Sequence, residues 1–420
     1  MKKIAAALVT VAVAMLTGCS SGVTTSQSSP STPKLDPTGW NPSTYESIIN
    51  LVEANKGSGK IATFDFDNTT QARDVGEATV GRTQADKLID VSTIPSTVVP
   101  PFTLAGKPIT IKQGIANYYE SLASINPNDN FAAYPSDNII AQFWTGKPLS
   151  KFVSAVAAAY DNGAGKAELA NGQVKLFGGL PRPFVYPQMA DLYGYLRANG
   201  IDVWIVSAGV TWAVRWMVEN DLNPAIRAKY GDAAQLDTAK IVGITLLLKD
   251  KRTGELLTDN QLSRVAKNPG YLALDPDVTN QLEITALPDG LNSWRGGKTG
   301  AIQNLITRDR VLLAGGDSQG DFEMLNMAEN RLWITRLDKP SIQKDFAEQL
   351  KVDQPGNWML QPTISGAPVG FLSSECELNQ RLAAHPIPAT KAGTEASLAT
   401  LEPSGLLQSW DTCQSTPSSQ

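Results

Sequence analysis

The sequence predicts an α/β protein with a parallel sheet and a second, inserted or appended domain. Two observations carry the sheet. Apolar runs end in small polar or acidic residues at KIATFDFDNTT (60–70), VWIVSAG (203–209) and RVLLAGGDSQGD (310–321). Helical stretches follow, from Thr211 to about Asn220, from RGGKTGAIQNLI (295–306), and beyond Asp321. Strands alternating with helices form parallel units whose ligands collect beyond the carboxyl ends of the strands. A third observation points to an insertion: about 140 residues separate Asp67 from Ser207, far more than neighbouring strands need. With 420 residues, the chain is long enough for a main domain and an inserted one.

From the N-terminus, MKKIAAALVTVAVAMLTGCS has a basic start, an apolar stretch and small residues before Cys19, the layout of a secretory signal. Leu16 to Cys19 resemble a bacterial lipobox, which implies cleavage before Cys19 and a lipid on its thiol. Residues 1–18 are therefore expected to be the signal. Residues 19–45, polar with Ser, Thr and Pro throughout, are expected to be a flexible tether to a membrane outside the cytoplasm.

The remaining composition, 42% hydrophobic and 18% charged, describes a globular body rather than a bundle of membrane helices. The formal charge of -5 becomes -7 without Lys2 and Lys3, which argues against nucleic acid as a partner. With Cys19 lipidated, Cys376 and Cys413 remain, and in an oxidising compartment they are expected to form a disulfide. Such a bridge would contribute roughly 4 kcal/mol in the chain-entropy account. His385 is the one histidine, in the loop-like AAHPIP, so His-dependent hydrolases and multi-histidine zinc sites are disfavoured.

The chemistry then falls to carboxylates and a lysine. On a strand, Asp65 and Asp67 point to one side and Phe66 to the other. Like charges that close call for a cation between them or a retained proton, although a surface turn of Asp, Asn and Thr has the same composition. Lys298 in GGKT is not part of a phosphate loop, because that motif needs glycine where Asn292 stands.

Taken in order, DFDNTT, Ser207, Lys298 and GGDSQGD resemble the four motifs of the haloacid-dehalogenase-like phosphohydrolases. The resemblance covers roughly residues 55 to 340. It implies a Rossmann-like core of residues 46–75 and 187–340 with helices on both faces of its parallel sheet, an inserted, mainly helical cap of 76–186 and a C-terminal extension of 341–420. It also implies that Asp65 is the nucleophile and Asp67 the general acid and base. Ser207, Lys298 and Asn68 would hold the phosphoryl group. Mg2+ would be bound by Asp65, the backbone carbonyl of Asp67 and Asp317, with Asp321 orienting that shell. Aspartate at the second acid position favours phosphatases over the family's ATPases and dehalogenases.

The cap segment contains IANYYESL, with Tyr118, Tyr119 and Glu120, then Phe131, Tyr134, Phe143 and Trp144. Aromatic faces beside an acid suit a quaternary ammonium, and aromatics packing a helical core suit the same residues. The segment resembles that of bacterial phosphorylcholine phosphatases, whose cap carries an acid followed by two tyrosines. Here Asn117 precedes the tyrosines and Glu120 follows them. Residues 241–258 are expected to form a hairpin around Arg252 to Gly254. A phosphotransferase of the same fold and a lipid-anchored ligand-binding protein stand as alternatives to a hydrolase acting on a small phosphomonoester.

Overall fold

The computed structural model describes residues 33–125, 138–163, 166–168, 174–176, 182–290, 292–352, 357–365, 369–407 and 410. Cys19, Phe131, Tyr134 and Cys413 lie outside them, as do the signal and most of the tether. No helix among the described residues is long and apolar enough to cross a membrane.

The predicted parallel sheet has seven strands: β1 (Ile61–Phe64), β2 (Asp202–Val210), β3 (Ile241–Ile244), β4 (Val311–Gly316), β5 (Ala328–Arg336), β6 (Asn357–Ile364) and β7 (Gly370–Phe371). Their order across the sheet is β3-β2-β1-β4-β5-β6-β7, parallel except for β7. β1 and β4 read as unbroken apolar runs because helices cover both faces of a parallel sheet; all of β4 is buried. β1 pairs with β4 through Phe64 and Gly315 and with β2 through Phe64 and Ile205. The chain leaves β1 toward β2 and later returns to β4 on its other side. That reversal opens a crevice at the carboxyl ends of β1 and β4. Gly315 keeps the crevice floor close-packed, since a Cβ there would lie 2.5 Å from Phe64 Cδ1.

Four expectations are corrected. β2 does not end at Ser207 but runs to Val210, with its register to β3 broken between Val206 and Val210. An irregularity there re-aims the strand end while pairing continues. Residues 241–258 are not one hairpin. Ile241–Ile244 joins the main sheet, where Gly243 meets the Gly209 carbonyl and Thr211 too closely for a side chain, and the hairpin is Leu246–Asp250 with Leu256–Leu257. Leu282–Pro288 completes that small sheet.

The tether does not reach residue 45. Leu35 and Trp40 are buried, and Asn41 and Thr44 bond the Leu360 carbonyl of β6, at 2.9 and 2.7 Å. Nor does the sheet stop at residue 340, since β6 and β7 extend it. Helix Pro340–Val352 places Phe346 on Trp333 of β5, stacked at 4.5 Å, and Trp333 also stacks on Phe322 at 5.5 Å.

Among the described residues of the cap segment, helices Val75–Ala85, Ile115–Ala123 and Leu149–Asn162 dominate, with antiparallel pairs Phe102–Leu104 with Lys107–Ile109 and Lys166–Glu168 with Val174–Leu176. Phe152 meets Trp212 of the core edge to face at 5.9 Å, and Gly146 donates to the Ile284 carbonyl at 2.8 Å. The cap segment is thus joined to the core by both rings and backbone.

The stacked Phe322, Trp333 and Phe346 predict that residues after 340 stabilise the whole domain. Phe346→Ala is expected to lower unfolding free energy by about 3–5 kcal/mol, with a lower urea midpoint in a single transition.

Candidate active site

Asp65 follows β1 directly, its N–H donating to the Gly315 carbonyl of β4 at 2.9 Å, so the carboxylate stands at the crevice mouth. The next residues turn sharply. Asn68 takes a left-handed φ of 60°, which asparagine tolerates better than most residues, and the N–H groups of Thr69, Thr70 and Gln71 converge on the Phe66 carbonyl. The turn reading and the site reading of DFDNTT therefore describe one structure. Thr70 Oγ1 donates to the Asp65 carbonyl at 2.7 Å and meets the Tyr193 hydroxyl at 2.6 Å, fixing the turn from beneath.

Lys298 lies in the first turn of helix Gly296–Leu305 and is 2% exposed. Before it, Arg295 is held at φ 48°, and a Cβ on Gly297 would lie 1.6 Å from the Asn292 carbonyl oxygen. That cramped turn drives the lysine inward. Its Nζ sits 2.5 Å from Asp65 Oδ1 and 2.6 Å from Asp321 Oδ1. Asp321 in turn closes the β4 turn, accepting at Oδ2 from the N–H groups of Asp317 and Ser318 at 3.0 and 3.1 Å. Both its oxygens are engaged, which makes it an organiser of the turn.

Asp65, Asp317 and Asp321 are all buried and offer oxygens within 4.8 Å of one another, a group able to hold a metal ion. Thr69 Oγ1 bridges Asp317 Oδ1 at 3.1 Å and Asp65 Oδ2 at 3.4 Å. Asp317 Oδ2 accepts no well-directed hydrogen bond, although Arg336 Nη2 at the end of β5 lies 2.5 Å away. Oxygen-only, closely spaced and under-satisfied, these groups fit a hard divalent cation.

Within this cluster three carboxylates meet two cations, Lys298 and Arg336, so one negative charge is in excess, and Asp67 and Asp74 add two more acids to the cavity wall. Burial, then the Asp321 charge, push Asp65 up to about 8 against the pull of Lys298. Burial pushes Asp317 up to about 6, with Arg336 opposing. The neighbouring acids hold Lys298 firmly cationic despite its own burial. The shared cause is burial of these side chains with surplus anion.

Asp67 occupies different surroundings. Its Oδ1 accepts from the Gln71 side chain and from the Val75 N–H at 3.2 Å. Its Oδ2 faces Gly209 of β2, where an added Cβ would lie 2.7 Å from it and 3.2 Å from Ser207 Oγ. Burial, then the Asp74 and Asp65 charges, hold its pKa well above the usual carboxylate range. Ser207 is fully buried, with its Oγ accepting from the Gly209 N–H at 2.9 Å. The cavity wall beside it is Ala208, Gly209 and Val210.

The cavity, of about 180 Å³, is lined by Asp65, Asp67, Asn68, Lys298, Asp317 and Asp321 among the expected residues. Tyr119 also lines it and donates to Glu77 at 3.3 Å. Tyr118 does not: its hydroxyl donates to the Pro100 carbonyl at 2.9 Å and its ring packs on Phe102 and Phe143. Glu120 is absent from the lining, since one residue along a helix turns a side chain to another face. Phe143 and Trp144 are core residues, and exposed His385 ends helix Glu375–Ala384.

Sequence reasoning missed Arg336, Asp74, Trp294 and Thr69. Arg336 had a signal, a charged residue closing the apolar run RLWITR, as did Asp74, an acid opening a helix with glutamate three residues on.

The surplus anion predicts a pH dependence. Carboxyls with raised folded pKa values bind more protons folded than unfolded, so the metal-free protein loses stability as pH rises from about 4 to about 8, by up to about 1.4 kcal/mol per pH unit for one proton. Unfolding midpoints at pH 5 and pH 8 check this, and a saturating divalent cation is expected to remove the decline.

No family model matches the chain. The phosphorylcholine phosphatase of Pseudomonas aeruginosa is 29% identical over 346 residues, spanning 76% of this chain and 90% of its own. The solved structure of a functionally unknown protein from Anaerococcus prevotii superposes with a TM-score of 0.50 at 19% identity, covering 82% of this chain and 97% of that one, a likeness of fold. A substrate-bound phosphoserine phosphatase complex is a looser match, with a TM-score of 0.30 at 15% identity over 66% of this chain and 85% of that one. In its parallel sheet and its buried acid cluster, and through this curated relative, the chain is similar to the haloacid-dehalogenase-like phosphatases.

Proposed function

We propose that the protein is a Mg2+-dependent phosphomonoesterase working through an aspartyl-phosphate on Asp65, with a small phosphomonoester such as phosphorylcholine as substrate. The single observation carrying this reading is that Asp65 shares one buried cavity with Lys298, Asp317 and Asp321 while Asp67 stands apart from that cluster.

An Asp65 oxygen attacks phosphorus, and the bond from phosphorus to the leaving alcohol breaks. Asp67, kept protonated by its burial and acidic neighbours, gives its proton to that oxygen. The Asp67 carboxylate then takes a proton from water, whose oxygen attacks the same phosphorus. Inorganic phosphate leaves and Asp65 is regenerated. Lys298 steadies the attacking carboxylate and the phosphoryl charge, joined by Asn68 and the β2 segment from Ser207 to Val210. Asp65 and Asp317 would hold Mg2+ with the Asp67 carbonyl, and the bound ion would keep Asp65 ionised and offset charge growing on phosphorus. Asp321 and Thr69 fix the directions of these ligands.

Phosphorylcholine as a substrate is supported by the named activity of the Pseudomonas relative and by Tyr119 in the cavity wall. The signal sequence and Cys19 support an extracytoplasmic, lipid-anchored location, and a Cys376 to Cys413 bridge suits that compartment.

Purified protein is expected to release phosphate from a generic aryl phosphate only with Mg2+ present. Asp65→Asn should lower kcat by about 1,000-fold or more, because a neutral amide is a poor nucleophile. Equal rates for the two proteins would exclude Asp65 as nucleophile.

A further inference from the structure

Resting on the phosphatase reading, we infer that Asp74 is a specificity-determining residue that selects substrates whose alcohol carries a positive charge. The cavity has two chemically different ends. At one, Lys298 is tied between Asp65 and Asp321, and Arg336 is tied to Asp317. At the other stand Asp67, Asp74, Tyr119 and Ile140, and the lining there contains no lysine or arginine among the described residues.

The second end is where the leaving alcohol must lie. Asp67 has to reach the alcohol oxygen to protonate it, and Asp74 is the charged neighbour that acts on Asp67 most strongly. Whatever is bonded to that oxygen therefore extends past Asp74.

The local fold presents this carboxylate to the cavity. Asp74 is the N-cap of helix Val75–Ala85, with Oδ1 accepting from the Glu77 N–H at 2.9 Å. Gly76 leaves the wall open beside it: a Cβ there would lie 3.1 Å from both Asp74 Oδ1 and Ile140 Cδ1. Tyr119 comes from the cap helix Ile115–Ala123, with its hydroxyl on Glu77. Trp294 also lines the cavity, but Arg295 lies 4.6 Å from its ring centre, so the aromatic role falls to Tyr119. An acid, an aromatic ring and an aliphatic side chain around a small space match an alkylammonium on a short arm: charge meets charge, and methyl groups meet the ring and Ile140. Asp74, rather than Glu120, supplies the charge.

The test compares phosphorylcholine with 3,3-dimethylbutyl phosphate, which has the same shape with carbon in place of the charged nitrogen. In the full protein with Mg2+, kcat/KM is expected to favour phosphorylcholine by about tenfold or more. Asp74→Asn keeps a residue that caps helices as well as aspartate does. It should lower that ratio by about fivefold or more, chiefly through a higher KM for phosphorylcholine. Glu120→Gln should leave the ratio in place. A wild-type ratio near one, a ratio untouched by Asp74→Asn, or a collapse with Glu120→Gln instead would each overturn the assignment while aryl phosphate turnover continues. Loss of turnover on every phosphate ester in the wild type would overturn the phosphatase reading itself.

Discussion

The site is organised by a surplus of negative charge on buried side chains. Asp65, Asp317 and Asp321 face two cations, Lys298 shared between Asp65 and Asp321 and Arg336 tied to Asp317. Such an arrangement is unstable on its own terms, since buried carboxylates repel and desolvation favours their neutral forms. Much nearby structure makes sense as the means of holding it. The cramped Arg295 to Gly297 turn forces Lys298 inward, the close contact of Gly315 with Phe64 keeps β1 and β4 together, and the Thr69 to Gln71 turn locks Asp65 in direction. A divalent cation would resolve the imbalance, and such a cation and a lysine could together hold a phosphoryl group.

The fold class was legible because its cause is local. Parallel strands covered on both faces read as apolar runs, and KIATF and RVLLAGG carried that pattern with strand ends marked by Asp65 and Asp317. The end of β2 was not legible: a small residue such as Ser207 can close a strand or sit in an irregularity, and only the register to β3 decides. Docking of Leu35 to Thr44 was likewise hidden. Its partners lie at Leu360 and Gln361, over 300 residues away, and polar composition gives no sign of a buried Trp40.

Within the site, motif order pointed to residues that the fold then gathers at β1, β4 and helix Gly296–Leu305. Side-chain choices inside the cap were harder. Tyr118, Tyr119 and Glu120 are adjacent, yet only Tyr119 faces the cavity, because neighbours on a helix point about 100° apart. Arg336 and Asp74 carried local signals, but their roles in the site did not show in them: Arg336 acts on a partner distant in sequence, and Asp74 is a helix cap whose second role is electrostatic.

The surplus charge can be measured directly by titrating metal-free protein with Mg2+ in a calorimeter at pH 6.5, in two buffers of different ionisation enthalpy. The account predicts one site per chain, release of protons on binding because carboxyls give them up to the metal, and marked weakening in Asp317→Asn. Binding without proton release, or unchanged in Asp317→Asn, would contradict it.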